Sequence, residues 1–277
     1  MNELGLIEKI ARMTGRQPNL RLGIGDDCAI FSQPRGHDLL FTTDQMIEGV
    51  HFRSRAKPEV VGARALARSL SDIAAMGGIP QFCLVALALP KSKTDAWVER
   101  FYAGLLSVAR KYKTALAGGD LAQDDHVHCD VMVCGSVEKG QALRRDGAKP
   151  GDFIYVSGEL GRPWDREIQP RLDLGRKLLG KATACMDLSD GISLDLHRLC
   201  LASGVSAELD RIPRAVGTTL DRALHGGEDY ELLFTLSPGV RAPKGVFRIG
   251  VVTSGEVGVM RLNGNKLAAR GYSHFSK

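Results

Sequence analysis

The chain is 277 residues long, 44% hydrophobic and 25% charged, which is globular usage with length enough to bury a large core without disulfides. Its net charge of +5 is spread over interspersed Lys, Arg, Asp and Glu, and only 6% of residues are aromatic. That balance suits anionic metabolites and argues against a nucleic-acid-binding protein.

Residues 5–13 read as a short amphipathic helix. LRLGIGDDCAIF (20–31) reads as a turn entering a strand, and DLLFTTDQMIEGVHF (38–52) as a strand ending in a loop. Helical periodicity over 58–76 stops at Gly77-Gly78, a fitting C-terminal signal. PQFCLVALALP (80–90) is an apolar strand between prolines, 94–112 a further helix, and 114–120 and 126–138 strands. The turn-rich DGAKPGD, with Gly147, Pro150 and Gly151, sets a domain boundary near 147–151, dividing 1–146 from 147–277. The second half carries a helix around 171–180, DLSDGIS with a helix behind it, and strands at YELLFTL and VFRIGVV. Helices and strands mix in both halves, so a two-domain α+β protein is expected.

Six cysteines, at 28, 83, 129, 134, 185 and 200, form no C-x-x-C pair and several sit in apolar runs. They read as buried free thiols of a reducing compartment. No apolar run reaches the ~20 residues that span a bilayer, and MNELGLIEKIARM is too charged for a signal peptide. A cytoplasmic protein without membrane partners is the expectation.

The acidic residues are the informative ones. Asp26 and Asp27 lie in GIGDDCAI, Asp44 in FTTDQMIEGVHF, Asp120 in AGGD, Asp187 and Asp190 in CMDLSDGIS, Glu228 and Asp229 in HGGEDYELLF. Most stand beside glycine or a hydroxyl at a strand end. Glycine lets an anion or a hydrated ion approach the backbone, and carboxylate is the hard oxygen ligand of Mg²⁺, which takes one or two per ion. Sparse carboxylates therefore suit several Mg²⁺ ions bridging a polyphosphate. Each motif also has a plainer reading: GIGDD and GGD as turns, TTD as a strand end with a capping hydroxyl, DLSDGIS as a helix N-terminus. For DLSDGIS the plain and the functional reading hold together, because a helix N-terminus is itself an anion site.

Asp72 shares a helical stripe with Val61, Ala65, Ser69 and Met76, where an unpaired charge is costly. It reads as a metal or ligand contact, the alternative being a local ion pair to Arg68. His51 gains interest only from its place after the TTD strand. His126 and His128 read as ordinary surface or strand residues; adjacent arginines such as Arg144 and Arg145 are usually just solvated, but at a domain junction one could reach phosphate. There is no G-x-x-x-x-G-K-[ST] loop, no H-R-D with D-F-G set, no strand-borne G-x-G-x-x-G and no G-x-S-x-G elbow.

Taken in order, GIGDDCAI, TTDQMIEGVHF, ARSLSDIAAMGGIP, AGGD, RDGAKPGD, CMDLSDGIS, GGEDYELLF and GYSHF resemble the thiamine-monophosphate kinase family, of the aminoimidazole-ribonucleotide-synthetase-like superfamily. The resemblance implies an N-terminal four-stranded sheet pairing with that of a second subunit as a homodimer-interface barrel. It also implies an α/β C-terminal domain, with ATP and several Mg²⁺ ions in the cleft between domains. By motif it implies Asp27, Thr42, Thr43, Asp44, Asp72, Asp120, Asp187 and Asp190 as magnesium ligands. Gly119, Asp120, Arg145, Ser189 and Tyr102 would contact ATP, and His51, Glu228 and Tyr272 thiamine monophosphate. One stretch departs from the pattern: after VSGELG, RPWDREIQP replaces a longer helical segment, with consequences for cleft cover or substrate selectivity.

The implied reaction is direct in-line transfer from ATP to thiamine monophosphate. The acceptor is a phosphate monoester already anionic near neutral pH, so positioning and metal charge matter more than a catalytic base. Two other readings are an ATP-dependent synthetase of the same superfamily and a nucleotide-binding regulator without catalysis. The absence of a Cys-and-Lys glycine loop near the N-terminus disfavours a selenophosphate synthetase.

Overall fold

The computed structural model describes residues 3–14, 19–22, 24, 29–164 and 166–272. Two compact units divide the chain: residues 1–73 with 79–140, and residues 74–78 with 141–277. Strands and helices mix in both, as an α+β fold requires.

In the first unit, after the short paired strands β1 (Leu20–Leu22) and β2 (Ile30–Phe31), a four-stranded sheet runs in the order β3 (His37–Ile47), β6 (His128–Glu138), β4 (Ile79–Leu89), β5 (Ala115–Gln123). β3 pairs with β6 along its whole length, from His37 opposite Glu138 to Ile47 opposite His128. Alternation fixes which side is buried: Leu40 and Met46 of β3, Val131 and Val133 of β6, and Val85 and Leu87 of β4 lie in the core. Helices α2 (Pro58–Ala75) and α3 (Asp95–Lys111) supply Leu66, Leu70, Phe101 and Leu105 to that core. The Ser69 hydroxyl of α2 donates to the Val131 carbonyl at 3.0 Å, anchoring the helix over the central strand. On the other face Phe41, Thr43, Gln45, Ala86 and Asp120 are exposed. Among the described residues the edge strands β3 and β5 do not pair with each other, so the sheet is open. The expected barrel is not closed within one chain, because four strands leave two free edges; closure would need a second sheet.

The second unit is built on a seven-stranded sheet. Its order is β13 (Asn265–Leu267), β12 (Met260–Leu262), β9 (Ser206–Leu209), β11 (Phe247–Thr253), β7 (Phe153–Val156), β10 (Leu232–Leu236), β8 (Ala182–Asp187). Every pairing is antiparallel except β12 with β9. Helix α5 (Ile192–Ser203) lays Ile192, Leu196 and Leu199 into a core with Ile154, Leu209 and Leu233. Two shorter helices, α4 (Leu172–Leu178) and α6 (Leu220–His225), complete the unit. Cys83, Cys129, Cys134, Cys185 and Cys200 are all free and buried, which raises their thiols, Cys83 to about 12.

The α2–α3 crossing depends on two glycines. A methyl group on Gly62 would sit 2.0 Å from the Phe101 carbonyl oxygen, and one on Gly104 2.0 Å from that of Glu59. Backbone cannot yield as a flexible side chain can. Gly104→Ala is therefore expected to cost about 3 kcal/mol of stability, read as a lowered thermal midpoint; an unchanged midpoint would contradict this packing.

Candidate functional site

In the first unit the acidic motifs of β3 and α2 meet. Thr42 and Asp44 share the helix-facing side of β3, and the Thr42 hydroxyl donates a short hydrogen bond to the Asp72 carboxylate. The buried Arg68 guanidinium lies 3.9 Å from the Asp44 carboxylate and reaches the Met46 sulfur at 3.3 Å. Arg68 thus contacts Asp44, a partner that the sequence did not suggest. These half-buried carboxylates thus lie beside a hydroxyl and a guanidinium, the kind of partner that a carboxylate taken out of water requires.

Thr43 and Asp120 lie elsewhere. Asp120 is opposite Ala86, Ala86 opposite Asp130, and Asp130 opposite Gln45, so Asp120 shares the open face with Gln45 and Thr43. AGGD sits inside β5, which continues to Gln123, because Gly119 fits against β4: a methyl there would be 2.0 Å from the Val85 carbonyl oxygen. Gly119, Asp120 and the buried Tyr102 line one small cavity, walled on another side by Ile7 and Ile10 of helix α1 (Glu3–Met13). Tyr102's hydroxyl is strongly disinclined to ionise, chiefly from burial. His51 closes the turn after β3: its Nδ1 accepts the Ile47 N–H at 3.0 Å. Asp27 lies outside the described residues.

In the second unit DLSDGIS forms the turn from β8 into α5. Asp187 ends the strand, and Gly191, at φ 107°, is the helix cap. Neither Ser189 nor Asp190 caps the helix with its side chain. Instead Asp195, fully buried, accepts the Asp190 N–H at 3.0 Å. The Arg198 guanidinium then bridges Asp190 at 2.5 Å and Asp195 at 2.9 Å. Main-chain bonds draw the other predicted contacts to this turn: Glu228 N–H to the Ser189 carbonyl at 2.8 Å, and Tyr272 N–H to that of Asp190 at 3.0 Å. Arg145 is exposed at the start of this unit, its carbonyl held by the Ser203 hydroxyl at 2.8 Å.

HGGEDYELLF is less regular than its strand-like pattern. Glu228 (φ 73°) and Tyr230 (φ 49°) are both left-handed, a conformation costing non-glycine residues about 1–2 kcal/mol each. β10 accordingly begins only at Leu232. Between them Asp229 is buried, its Oδ1 accepting the Gly161 N–H at 2.9 Å while Oδ2 has no hydrogen-bond partner among the described residues. Glu231, also buried, receives two Arg171 bonds of 2.7 Å and the Ser157 hydroxyl at 2.5 Å. Sequence reading missed Asp195, Arg198, Arg171 and Glu231. Only the Asp195–Arg198 helical spacing of three hinted at any of them.

The class is defined by a fold of two mixed units that carry acidic residues on strands, on a helix and at turns. The family described as AIR synthase related protein, N-terminal domain, matches residues 25–137. The chain is 35% identical to the thiamine-monophosphate kinase of Bacillus subtilis, over 86% of this chain and 84% of that one. It is similar to the crystal structure of thiamine-monophosphate kinase from Stenotrophomonas maltophilia, with TM-score 0.85 and 32% identity over 96% and 98% of the two chains. The complex of AaThiL with AMPPCP and TMP aligns at TM-score 0.81 and 32% identity, over 99% and 97% of the two chains. The chain belongs to the thiamine-monophosphate kinase family.

Asp229 gives the second unit a pH signature. Burial pushes its carboxyl up to about 7, against partial opposition from the Gly161 N–H and Arg166. The folded chain then keeps a proton that the unfolded chain has already lost above about pH 4. This group's contribution to stability therefore falls as pH climbs from about 4 to about 7, by up to ~1.4 kcal/mol per pH unit. Denaturant melts across that window should show a flatter profile for Asp229→Asn than for the unsubstituted chain; parallel profiles would contradict the assignment.

Proposed function

We propose that this chain transfers the γ-phosphoryl group of ATP directly to thiamine monophosphate, giving thiamine diphosphate and ADP. The observation that carries this reading is the near full-length similarity to AaThiL, solved with an ATP analogue and TMP, in a chain that keeps the acidic motifs. Asp44 and Asp72 of the first unit, with Asp187 and Asp190 of the second, are the proposed Mg²⁺ ligands, joined by Asp27, Asp120 and the Thr42 hydroxyl. Thr43 would act through its carbonyl, since its side chain faces away from Asp44.

The donor set suits the ion. Among the described residues no three carboxylate, imidazole or thiol groups converge closely enough to cage a metal. Isolated carboxylates that leave coordination positions to phosphate oxygens and water are what Mg²⁺ takes. Bound there, Mg²⁺ would supply charge neutralisation for the polyphosphate and the transferred group. The chain's own part is positioning. The cavity of Tyr102, Gly119, Ile7 and Ile10 offers an apolar slot beside Asp120 for the base of the nucleotide, and Arg145 and Ser189 are the further proposed ATP contacts. Glu228, His51 and Tyr272 would hold the acceptor. The acceptor's phosphate oxygen carries its own negative charge near neutral pH, so in-line attack needs orientation rather than a base.

The open sheet face supports a homodimer as part of this reading. Phe41 is 64% exposed there, and a second copy's sheet would cover it while pairing the free edges. No helix among the described residues is long and apolar enough to cross a membrane.

Chromatographic assay of thiamine diphosphate, with purified chain, ATP, Mg²⁺ and thiamine monophosphate, tests the reading. Asp44→Ala and Asp190→Ala should each lower kcat/KM by about two orders of magnitude or more. Unaltered turnover in both variants would defeat it.

A further inference from the structure

The stretch that departs from the family pattern, 161–170, does more than shorten a loop. Arg166 within it and Arg171 directly after it reach the segment carrying Glu228. Arg166 donates a short hydrogen bond from Nη2 to the Asp229 carbonyl, and the same nitrogen lies 3.6 Å from the buried Glu231 carboxylate. Arg171 grips Glu231 through Nε and Nη2, both at 2.7 Å. Ser157 links this carboxylate to the sheet, donating to it and accepting the Leu232 N–H at 2.7 Å. Gly158 leaves the room: a methyl there would stand 2.6 Å from Glu231 Cδ. From the other side the Glu228 and Tyr230 N–H groups are held by the Ser189 and Leu188 carbonyls at 2.8 and 2.7 Å.

Residues 228–231 are thus fixed on both sides at the point where the backbone is left-handed at two non-glycine positions. Such a conformation persists only where its surroundings over-determine it, and a buried carboxylate with a bidentate arginine is a strong, directional way to do so. Loss of the arginine would leave that carboxylate buried without its counter-charge.

We propose that Arg166 and Arg171 are positioning residues: through the Asp229 carbonyl and the Glu231 carboxylate they hold the left-handed turn that presents Glu228 to the acceptor molecule. The abbreviated segment, together with Arg171 directly behind it, is then the template of the acceptor site, acting on acceptor binding rather than on ATP. This rests on the reading of Glu228 as an acceptor contact.

Two measurements test it. In Arg166→Ala, KM for thiamine monophosphate should rise about tenfold, with kcat and KM for ATP within about twofold of the unsubstituted enzyme. Arg166→Lys, which keeps the charge and a donor, should recover part of the loss and carries the kinetic test if the alanine variant does not fold. An unchanged acceptor KM, or equal rises in both KM values, overturns the proposal. Amide exchange at Glu228 and Tyr230, measured without turnover, should quicken about tenfold in the same variant; unaltered exchange overturns the clamp itself. If the unsubstituted chain forms no thiamine diphosphate, the functional reading fails, and the exchange result still decides the clamp.

Discussion

A carboxylate taken out of water must be given a counter-charge or a donor, and that constraint shapes each part of this chain that bears on chemistry. Asp72 has the Thr42 hydroxyl, Asp44 has Arg68, and Asp190 and Asp195 share Arg198. Glu231 has Arg171 with Ser157. The partners differ in kind. Glu231 is 1% exposed at its side chain and bonded bidentately, a permanent structural pair. Asp44 and Asp190 are each 24% exposed, and the Asp44–Arg68 separation of 3.9 Å is a loose contact. Asp190 is bonded closely to Arg198, but both side chains are partly open to solvent, as Asp44 is, whereas Glu231 is sealed in.

Glycine is the other half of the same design. Gly119 lets β5 run against Val85 so that the next residue, Asp120, is fixed at the sheet edge. Gly158 makes the space that Glu231 fills. Gly227 lies where a methyl would stand 2.6 Å from the Ser189 carbonyl oxygen, which keeps the Glu228 turn against the DLSDG turn. In each case a close backbone approach brings an acidic residue to a defined place, a use of glycine distinct from its freedom in turns.

Much of the fold was legible in the sequence, because long elements carry a clear period. The apolar alternation of 126–138 and the helical stripe of 58–76 correspond to β6 and α2. The acidic motifs were legible too, since glycine and hydroxyl neighbours flagged them. What pattern could not reveal was side and partner. TTD reads as one motif, yet strand alternation sends Thr43 to the open face and Thr42 and Asp44 to the helices. YELLFTL reads as a strand from its first residue, yet Tyr230 is left-handed and the strand starts later. Arg171 and Glu231 are sixty positions apart, and nothing local marks either as the other's partner.

The account stands on phosphoryl transfer between two anions by positioned carboxylates and Mg²⁺. The most direct measurement follows ATP labelled at its γ-phosphate, with Mg²⁺, in the presence and absence of thiamine monophosphate. The account predicts that the label appears in the terminal phosphate of thiamine diphosphate, one for each ADP formed, and that little ATP is consumed without the acceptor. Label released as inorganic phosphate at the same rate with and without thiamine monophosphate would contradict it.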